Sequence, residues 1–312
     1  MQINGFVKRS LWALAILFLV MNVVSYLHAY KFTHFTELQV TKTKSVEKLS
    51  AFDKVRILLT GIDNPKPSTL KHPKQEFETI YLKSNKTIEC WSIKTNFSKG
   101  TVVLFHGYGS QKSSMLDKAD EFLQLGYNAF LVDFMGSGGS EGNQTTIGFK
   151  EAMQVKTVFD YITEKGEDKI YLFGTSLGAV AVLKAIHDYE ISPQGIIIEC
   201  PFGSMYKTTC ARFRSMNVPT FPMAGLLVFW GGVQNGFWAF GHNPTRYAKR
   251  VRCPTLLLYG EQDEKVSREE IDEIYANLPG RKELKTYPQA GHENYLAKYR
   301  KEWTQDIRII LK

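Results

Sequence analysis

Cysteine is scarce in this chain of 312 residues, and the four present, Cys90, Cys200, Cys210 and Cys253, include no Cys-x-x-Cys pair. That pattern argues against a disulfide framework and against a thiolate metal site, while leaving a Cys200–Cys210 bridge open. Nothing calls for a metal or a cofactor. The formal net charge is +8, yet no run of five basic residues occurs and the lysines and arginines are dispersed among acids. Nucleic acid is therefore not an expected partner. No internal repeat or low-complexity tract is present, which excludes solenoid arrays and disordered linkers as the main architecture. Charge is missing altogether from Ser10 to Tyr30.

That uncharged stretch, at 1.5 Å per residue, reaches roughly 30 Å and can cross a bilayer as a helix. Trp12, Tyr26 and Tyr30 stand where interfacial aromatics are often found. A cleaved signal sequence is the rival, with Lys8 and Arg9 as its charged start and Val23-Val24-Ser25 or Leu27-His28-Ala29 as cleavage sites. Neither site has the preferred small-x-small form, so an uncleaved single-pass anchor is expected. The basic N-terminal flank favours an extracytoplasmic catalytic domain, against a counter-pull from Lys31, Lys42, Lys44 and Lys48. Those lysines suit anionic headgroups, or simply a solvated surface.

Three segments follow from composition: a membrane anchor over residues 1–30, a stalk and linker over 31–75, and a globular domain over 76–312. The stalk carries a short helix from Val46 to Leu59, stopped by Asn64-Pro65-Lys66-Pro67. Strands are predicted at Glu76 to Lys83, Thr87 to Ile93, Thr101 to Phe105, Asn128 to Val132, Lys169 to Phe173, Gly195 to Ile198, Thr255 to Tyr259 and Glu283 to Tyr287. Helical patterns lie between them, at Met115 to Leu123, Ile147 to Glu164, after Ser176, Ser267 to Leu278, and finally through Leu311. Apolar strands alternating with helices imply an α/β domain whose parallel sheet is covered on both faces. The rhythm lapses over residues 201–251, read as a small helical cap.

The stretch Ile170-Tyr171-Leu172-Phe173-Gly174-Thr175-Ser176-Leu177-Gly178 joins a strand to a helix through Gly-x-Ser-x-Gly. A serine on so sharp a turn is strained and exposed, and its small neighbours let strand and helix close up. Ser176 is the expected nucleophile. Gly138-Gly139-Ser140-Glu141-Gly142 matches the same pattern, but no strand feeds it directly.

A serine hydroxyl needs an imidazole to take its proton and a carboxylate to orient that imidazole. Of seven histidines, His292 alone lies in a loop just beyond the last strand; His106 serves better to shape a turn. Asp263, a short turn beyond the penultimate strand, is the expected acid. Glu199 is the runner-up, ahead of Glu261 and Glu264.

The order Ser176, Asp263, His292 resembles the α/β-hydrolase fold, and the likeness spans about residues 76 to 312. Leu104-Phe105-His106-Gly107-Tyr108 looks like that family's oxyanion strand and loop, which assigns the N–H groups of Tyr108 and Leu177 to the oxyanion hole, with Gly109 as alternative donor. Asp133-Phe134-Met135-Gly136-Ser137-Gly138-Gly139-Ser140 is similar to the signature Asp-x-Arg-Gly-x-Gly-x-Ser, with Met135 in place of Arg. Asn243-Pro244-Thr245 onward resembles bacterial membrane-associated serine hydrolases of the esterase, lipase and aminopeptidase-like branch. The resemblance implies a mostly parallel sheet of eight strands, a cap over the site, and no cofactor.

The cap is rich in large apolar residues, Met205, Phe213, Met216, Phe221, Trp230 and Trp238 among them. Such a lid suits a hydrophobic acyl group, although any one of these residues is more often buried packing. No acidic cluster awaits a peptide α-amine there. The expectation is a serine hydrolase acting on a small-molecule or lipid-like ester or thioester through an acyl-enzyme. A peptidase is the alternative, and a non-catalytic hydrolase-fold scaffold is the non-enzymatic rival.

Overall fold

The computed structural model of the chain describes residues 5–37 and 50–311. The predicted stalk-helix start at Val46 and three of the four stalk lysines lie outside them. Helix α1 (Gly5–Thr33) leads into strand β1 (Phe35–Thr36), helix α2 (Ala51–Thr60) and strand β2 (Asn64–Pro65), which pairs in parallel with β1. The main sheet then begins with β3 (Glu78–Lys83), β4 (Thr87–Ile93) and β5 (Thr101–Phe105), followed by α3 (Leu116–Gln124) and β6 (Asn128–Val132). Helix α4 (Glu151–Glu164), β7 (Ile170–Thr175), α5 (Leu177–Tyr189) and β8 (Gly195–Glu199) continue the alternation. The cap holds α6 (Met205–Ser215), α7 (Met223–Asn235) and α8 (Pro244–Tyr247). Strand β9 (Thr255–Gly260), α9 (Arg268–Asn277), β10 (Lys282–Tyr287), α10 (Tyr295–Lys298) and α11 (Arg300–Ile307) complete the chain.

The eight strands of the main sheet lie in the order β10-β9-β8-β7-β5-β6-β4-β3, with β4 antiparallel to both its neighbours and the remaining pairs parallel. Strand residues alternate between two cores. Val103 and Phe105 of β5 face α4, α5 and α9, whereas Val102 and Leu104 face α3 and α11. Every residue of β5 and β8 is buried, which is why these strands read in the sequence as unbroken apolar runs. From β5 the chain goes to β6 on one side and β7 on the other. This reversal of strand order opens a crevice at the carboxyl ends of the strands, where ligand sites of open α/β sheets lie.

Several elements differ from expectation: Asn64–Pro65 of the predicted linker forms β2 against β1, and α4 begins at Glu151 where Ile147 was predicted. The single C-terminal helix is broken at Tyr299, whose backbone is non-helical (φ −128°, ψ 49°) and whose hydroxyl accepts from Gln289 N at 2.9 Å. Helix α1 runs past Tyr30 because its last turn is tied down: Thr33 Oγ1 donates to Ala29 O at 2.8 Å, and Lys31 pairs with Asp63. Residues 33–37 are then bonded to the body, with Thr145 N donating to Thr33 O at 2.9 Å and Phe35 N to Asn143 O at 2.6 Å.

Candidate active site

Ser176 sits between β7 and α5 with φ 53° and ψ −109°, a left-handed conformation that costs a non-glycine residue roughly 1–3 kcal/mol. The turn is held by Ser176 N donating to Glu199 O at 2.8 Å. Its flanking glycines are sterically required. A Cβ on Gly174 would lie 2.6 Å from Ala179 N, and one on Gly178 would lie 2.3 Å from Phe105 O.

His292 Nε2 lies 3.0 Å from Ser176 Oγ, and its Nδ1 lies 2.7 Å from Asp263 Oδ2. A carboxylate only accepts, so Nδ1 carries a proton, and when the imidazole is neutral its Nε2 accepts from the serine hydroxyl. Asp263 is buried, and its Oδ1 accepts from Lys265 N at 2.8 Å and Val266 N at 3.0 Å. The loops bearing Asp263 and His292 are joined by Gln262 N donating to Ala290 O at 2.8 Å. Gly260 permits this approach, since a Cβ there would sit 2.5 Å from Ala290 O. Three residues predicted far apart in sequence are thus brought into one hydrogen-bonded line.

The imidazole of His292 has its pKa raised to about 10; burial works against the charge, but Cys200 and the Asp263 carboxylate outweigh it. The environment therefore favours the imidazolium that forms when Ser176 gives up its proton. Cys200 was not foreseen here. Donor atoms of Cys200, Asp263 and His292 lie within 4.8 Å of one another. These donor types can ligate a soft divalent ion, but Nδ1 does so only by losing the proton it gives to Asp263.

Leu177 opens α5, where the first amides have no intrahelical acceptor. The turn after β5 stands opposite, close enough that a Cβ on Gly107 would be 3.7 Å from Ser176 Cβ. Tyr108 and Leu177 both border the same cavity as Ser176 and His292. His106 shapes this turn: its Nδ1–H donates to Gly107 O at 2.8 Å while Nε2 accepts from Phe134 N at 3.1 Å, and burial lowers its pKa.

The rival residues are occupied elsewhere. Glu199 is fully buried, accepting from Trp303 Nε1 at 2.8 Å and Thr175 Oγ1 at 2.9 Å. Ser140 Oγ donates to Asp133 O at 2.7 Å and accepts from Glu89 N at 2.8 Å, the bonding of a turn serine. Glu261 accepts from Thr286 Oγ1 at 2.7 Å. Cys200 and Cys210 are both free thiols.

A model of the family described as serine aminopeptidase, S33, matches residues 97–230. The uncharacterized protein YqkD of Bacillus subtilis is 23% identical over 228 residues, 72% of this chain and 75% of its own. Caffeoylshikimate esterase of Arabidopsis thaliana is 33% identical over 91 residues, 27% of each chain. Among solved structures, the Pyrococcus furiosus esterase Pf2001 superposes with a TM-score of 0.65 at 22% identity, covering 80% of this chain and 98% of that one. The chain has the α/β-hydrolase fold.

The protein carries a cavity of about 710 Å³ at Ser176 and His292. Met205, Phe213 and Met216 of the cap line it, whereas Phe221, Trp230 and Trp238 do not. Trp230 instead packs edge-on against Tyr26 of α1 and donates to Asn22 Oδ1 at 3.2 Å. The unforeseen wall is α1 itself, which contributes Val24, His28, Ala29, Phe32 and Thr33. Val24, His28 and Phe32 stand four apart, with Ala29 and Thr33 next to the last two, which places all five on one helix face. The signal was present in the sequence as Ser25, Ala29 and Thr33, three small residues four apart, all buried in the protein.

Lys112 was also missed. Its fully buried ammonium bonds Asp133 and, at 2.6 Å, Glu89, and lies 4.3 Å from the Trp91 ring centre. Lys112 thus anchors the loop in which Met135 replaces the usual Arg. His242 ties the cap to the loop before α4, donating from Nε2 to Ile147 O at 3.0 Å; burial lowers its pKa to about 4.

Proposed function

We propose that the protein is a serine hydrolase that cleaves carboxylic esters or thioesters of apolar acyl groups through an acyl-enzyme, with Ser176 as nucleophile, His292 as base and Asp263 as orienting acid. The observation that carries this reading is the hydrogen-bonded line from Asp263 through His292 to Ser176, ending in a mostly apolar cavity. Ser176 Oγ attacks the substrate carbonyl carbon and its proton passes to His292 Nε2. The oxyanion so formed is stabilised by the N–H groups of Leu177 and Tyr108. On collapse the bond to the leaving oxygen or sulfur breaks, and that atom takes the proton from His292. Water, deprotonated by the same imidazole, then releases the acid and restores the hydroxyl of Ser176.

Helix α1 is proposed to remain attached as a single-pass anchor, with the hydrolase domain extracytoplasmic. Gly5 to Val20 are exposed in every position, a span of roughly 24 Å, whereas the rest of the helix docks on the cap. Cleavage at either candidate site would remove part of the cavity wall, which supports retention. The described residues lining the cavity include no Asp or Glu but do include Arg212 and Lys265, an unfavourable setting for a peptide α-amine. A peptidase stays in view because the matching family model carries that description.

Fluorophosphonate labelling of the full chain tests the nucleophile. Label is expected on the peptide containing Ser176 and absent after Ser176→Ala; label on the Ser140 peptide would overturn the assignment. A p-nitrophenyl ester series tests the substrate. Each two added methylenes should raise kcat/KM roughly tenfold until the cavity is full, because each contributes about 0.8 kcal/mol. A flat profile, or aminoacyl anilides preferred over all esters, would put the peptidase first.

A further inference from the structure

Arg212 of α6 lines the cavity and is half-buried there, and burial lowers the pKa of its guanidinium. Its environment on the protein side is aromatic. The guanidinium carbon lies 4.5 Å from the centre of the Phe32 ring and 5.7 Å from that of Tyr108, and the two rings stack with centres 4.7 Å apart. Tyr108 OH is directed elsewhere, donating to Phe32 O at 2.8 Å. The Arg212 guanidinium has no hydrogen bond and no carboxylate partner among the described residues, its backbone carbonyl accepting from Ser215 Oγ at 2.9 Å. By contrast, the buried Lys112 is paired with Asp133 and Glu89, and the buried Lys184 with Asp188.

A guanidinium has five donors and remains charged in proteins, so withdrawing it from water without an anion is costly. Ring faces recover only part of that cost. The arrangement is economical if the missing anion arrives with the ligand. Apolar walls from α1 and the cap surround the same cavity, so the ligand must present both a chain and a charge. We propose that the cavity binds an anionic amphiphile, its hydrocarbon chain against α1 and the cap and its phosphate or carboxylate on Arg212. This rests on the acyl-hydrolase reading for its substrate role, but not for binding itself. Phe32 and Tyr108 act as positioning residues that hold the guanidinium in place.

Binding to the full-length Ser176→Ala protein in neutral detergent tests this without depending on turnover. Dodecyl phosphate and dodecanoate are compared with dodecanol by calorimetric titration, and the same three probes are applied after an added Arg212→Gln. At least one anionic probe should bind roughly tenfold or more tighter than dodecanol, as a charge-assisted contact implies, and Arg212→Gln should abolish that preference while leaving dodecanol unchanged. Whichever anion shows the larger loss identifies phosphate or carboxylate as the group recognised. Equal affinity for all three probes, or an anion preference that survives Arg212→Gln, would overturn the proposal. Equal weakening of every probe by Arg212→Gln would also overturn it, by making Arg212 a packing residue. Failure of Ser176 to take fluorophosphonate would instead count against the hydrolase reading, so the two outcomes are separate.

Discussion

Ser176 illustrates how a single backbone angle sets the chemistry of the site. Its positive φ lifts the hydroxyl toward His292, and substituting alanine at that position removes the hydroxyl without relieving the strained turn. Ser176→Ala and His292→Ala should each lower kcat by roughly 10⁴- to 10⁶-fold, and the double variant by little more, because the groups act as a unit. Additive losses measured by ester hydrolysis would separate them. The pH profile adds a second test. His292 takes a proton only when neutral, so kcat/KM falls as acid protonates it. With burial outweighed by Cys200 and Asp263, its pKa is raised, and the acid limb should have its midpoint above 6.5. Cys200→Ala should move that limb to lower pH. A limb already at or below 6.5, or one indifferent to Cys200, would show that these neighbours do not govern the imidazole.

At the scale of elements, the loop after β6 is anchored by a charge drawn from the segment after β5. Lys112 is fully buried between Asp133 and Glu89, so Lys112→Met leaves two carboxylates without their cation. Breaking a buried pair from one side costs about 3–5 kcal/mol, and the urea midpoint should fall accordingly. Lys112→Met with Asp133→Asn should recover part of the loss; no recovery would mean that packing against Trp91, not charge, is what Lys112 supplies. This cation was not legible beforehand, because Ser110-Gln111-Lys112-Ser113 has the composition of a solvated loop. The eight strands of the main sheet were legible to within two residues, whereas β1 and β2 fell in the stretch read as stalk and linker. Central parallel strands are covered on both faces, so β5, β7 and β9 are written as short apolar runs bounded by polar or glycine-rich turns. The strand ends also made the hydrogen-bonded line of Ser176, His292 and Asp263 readable, since ligand sites of such sheets gather there. Tyr299, which divides the C-terminal helix, carried no such mark, because its break depends on a hydroxyl contact with a distant backbone amide.

On the scale of the whole molecule, α1 joins two environments that the sequence shows as one uninterrupted apolar stretch. Its first part is bare, and its last three turns form both a contact with α7 and a wall of the cavity. Ala29 marks that junction, 2% exposed and bordering the cavity where a larger side chain would project into the space allotted to an acyl chain. Ala29→Phe in the full chain should leave Ser176 open to fluorophosphonate and should spare p-nitrophenyl acetate. Its effect should appear with longer acyl groups. If the ring excludes about two methylenes, the loss in kcat/KM for a medium-chain ester should be roughly tenfold, at about 0.8 kcal/mol per methylene. Membrane retention under alkaline carbonate should not change, because the bare segment that would cross the bilayer is untouched. Release of the wild-type protein by carbonate would remove the anchor from this account, whereas an unchanged chain-length profile in Ala29→Phe would leave the anchor and remove the wall.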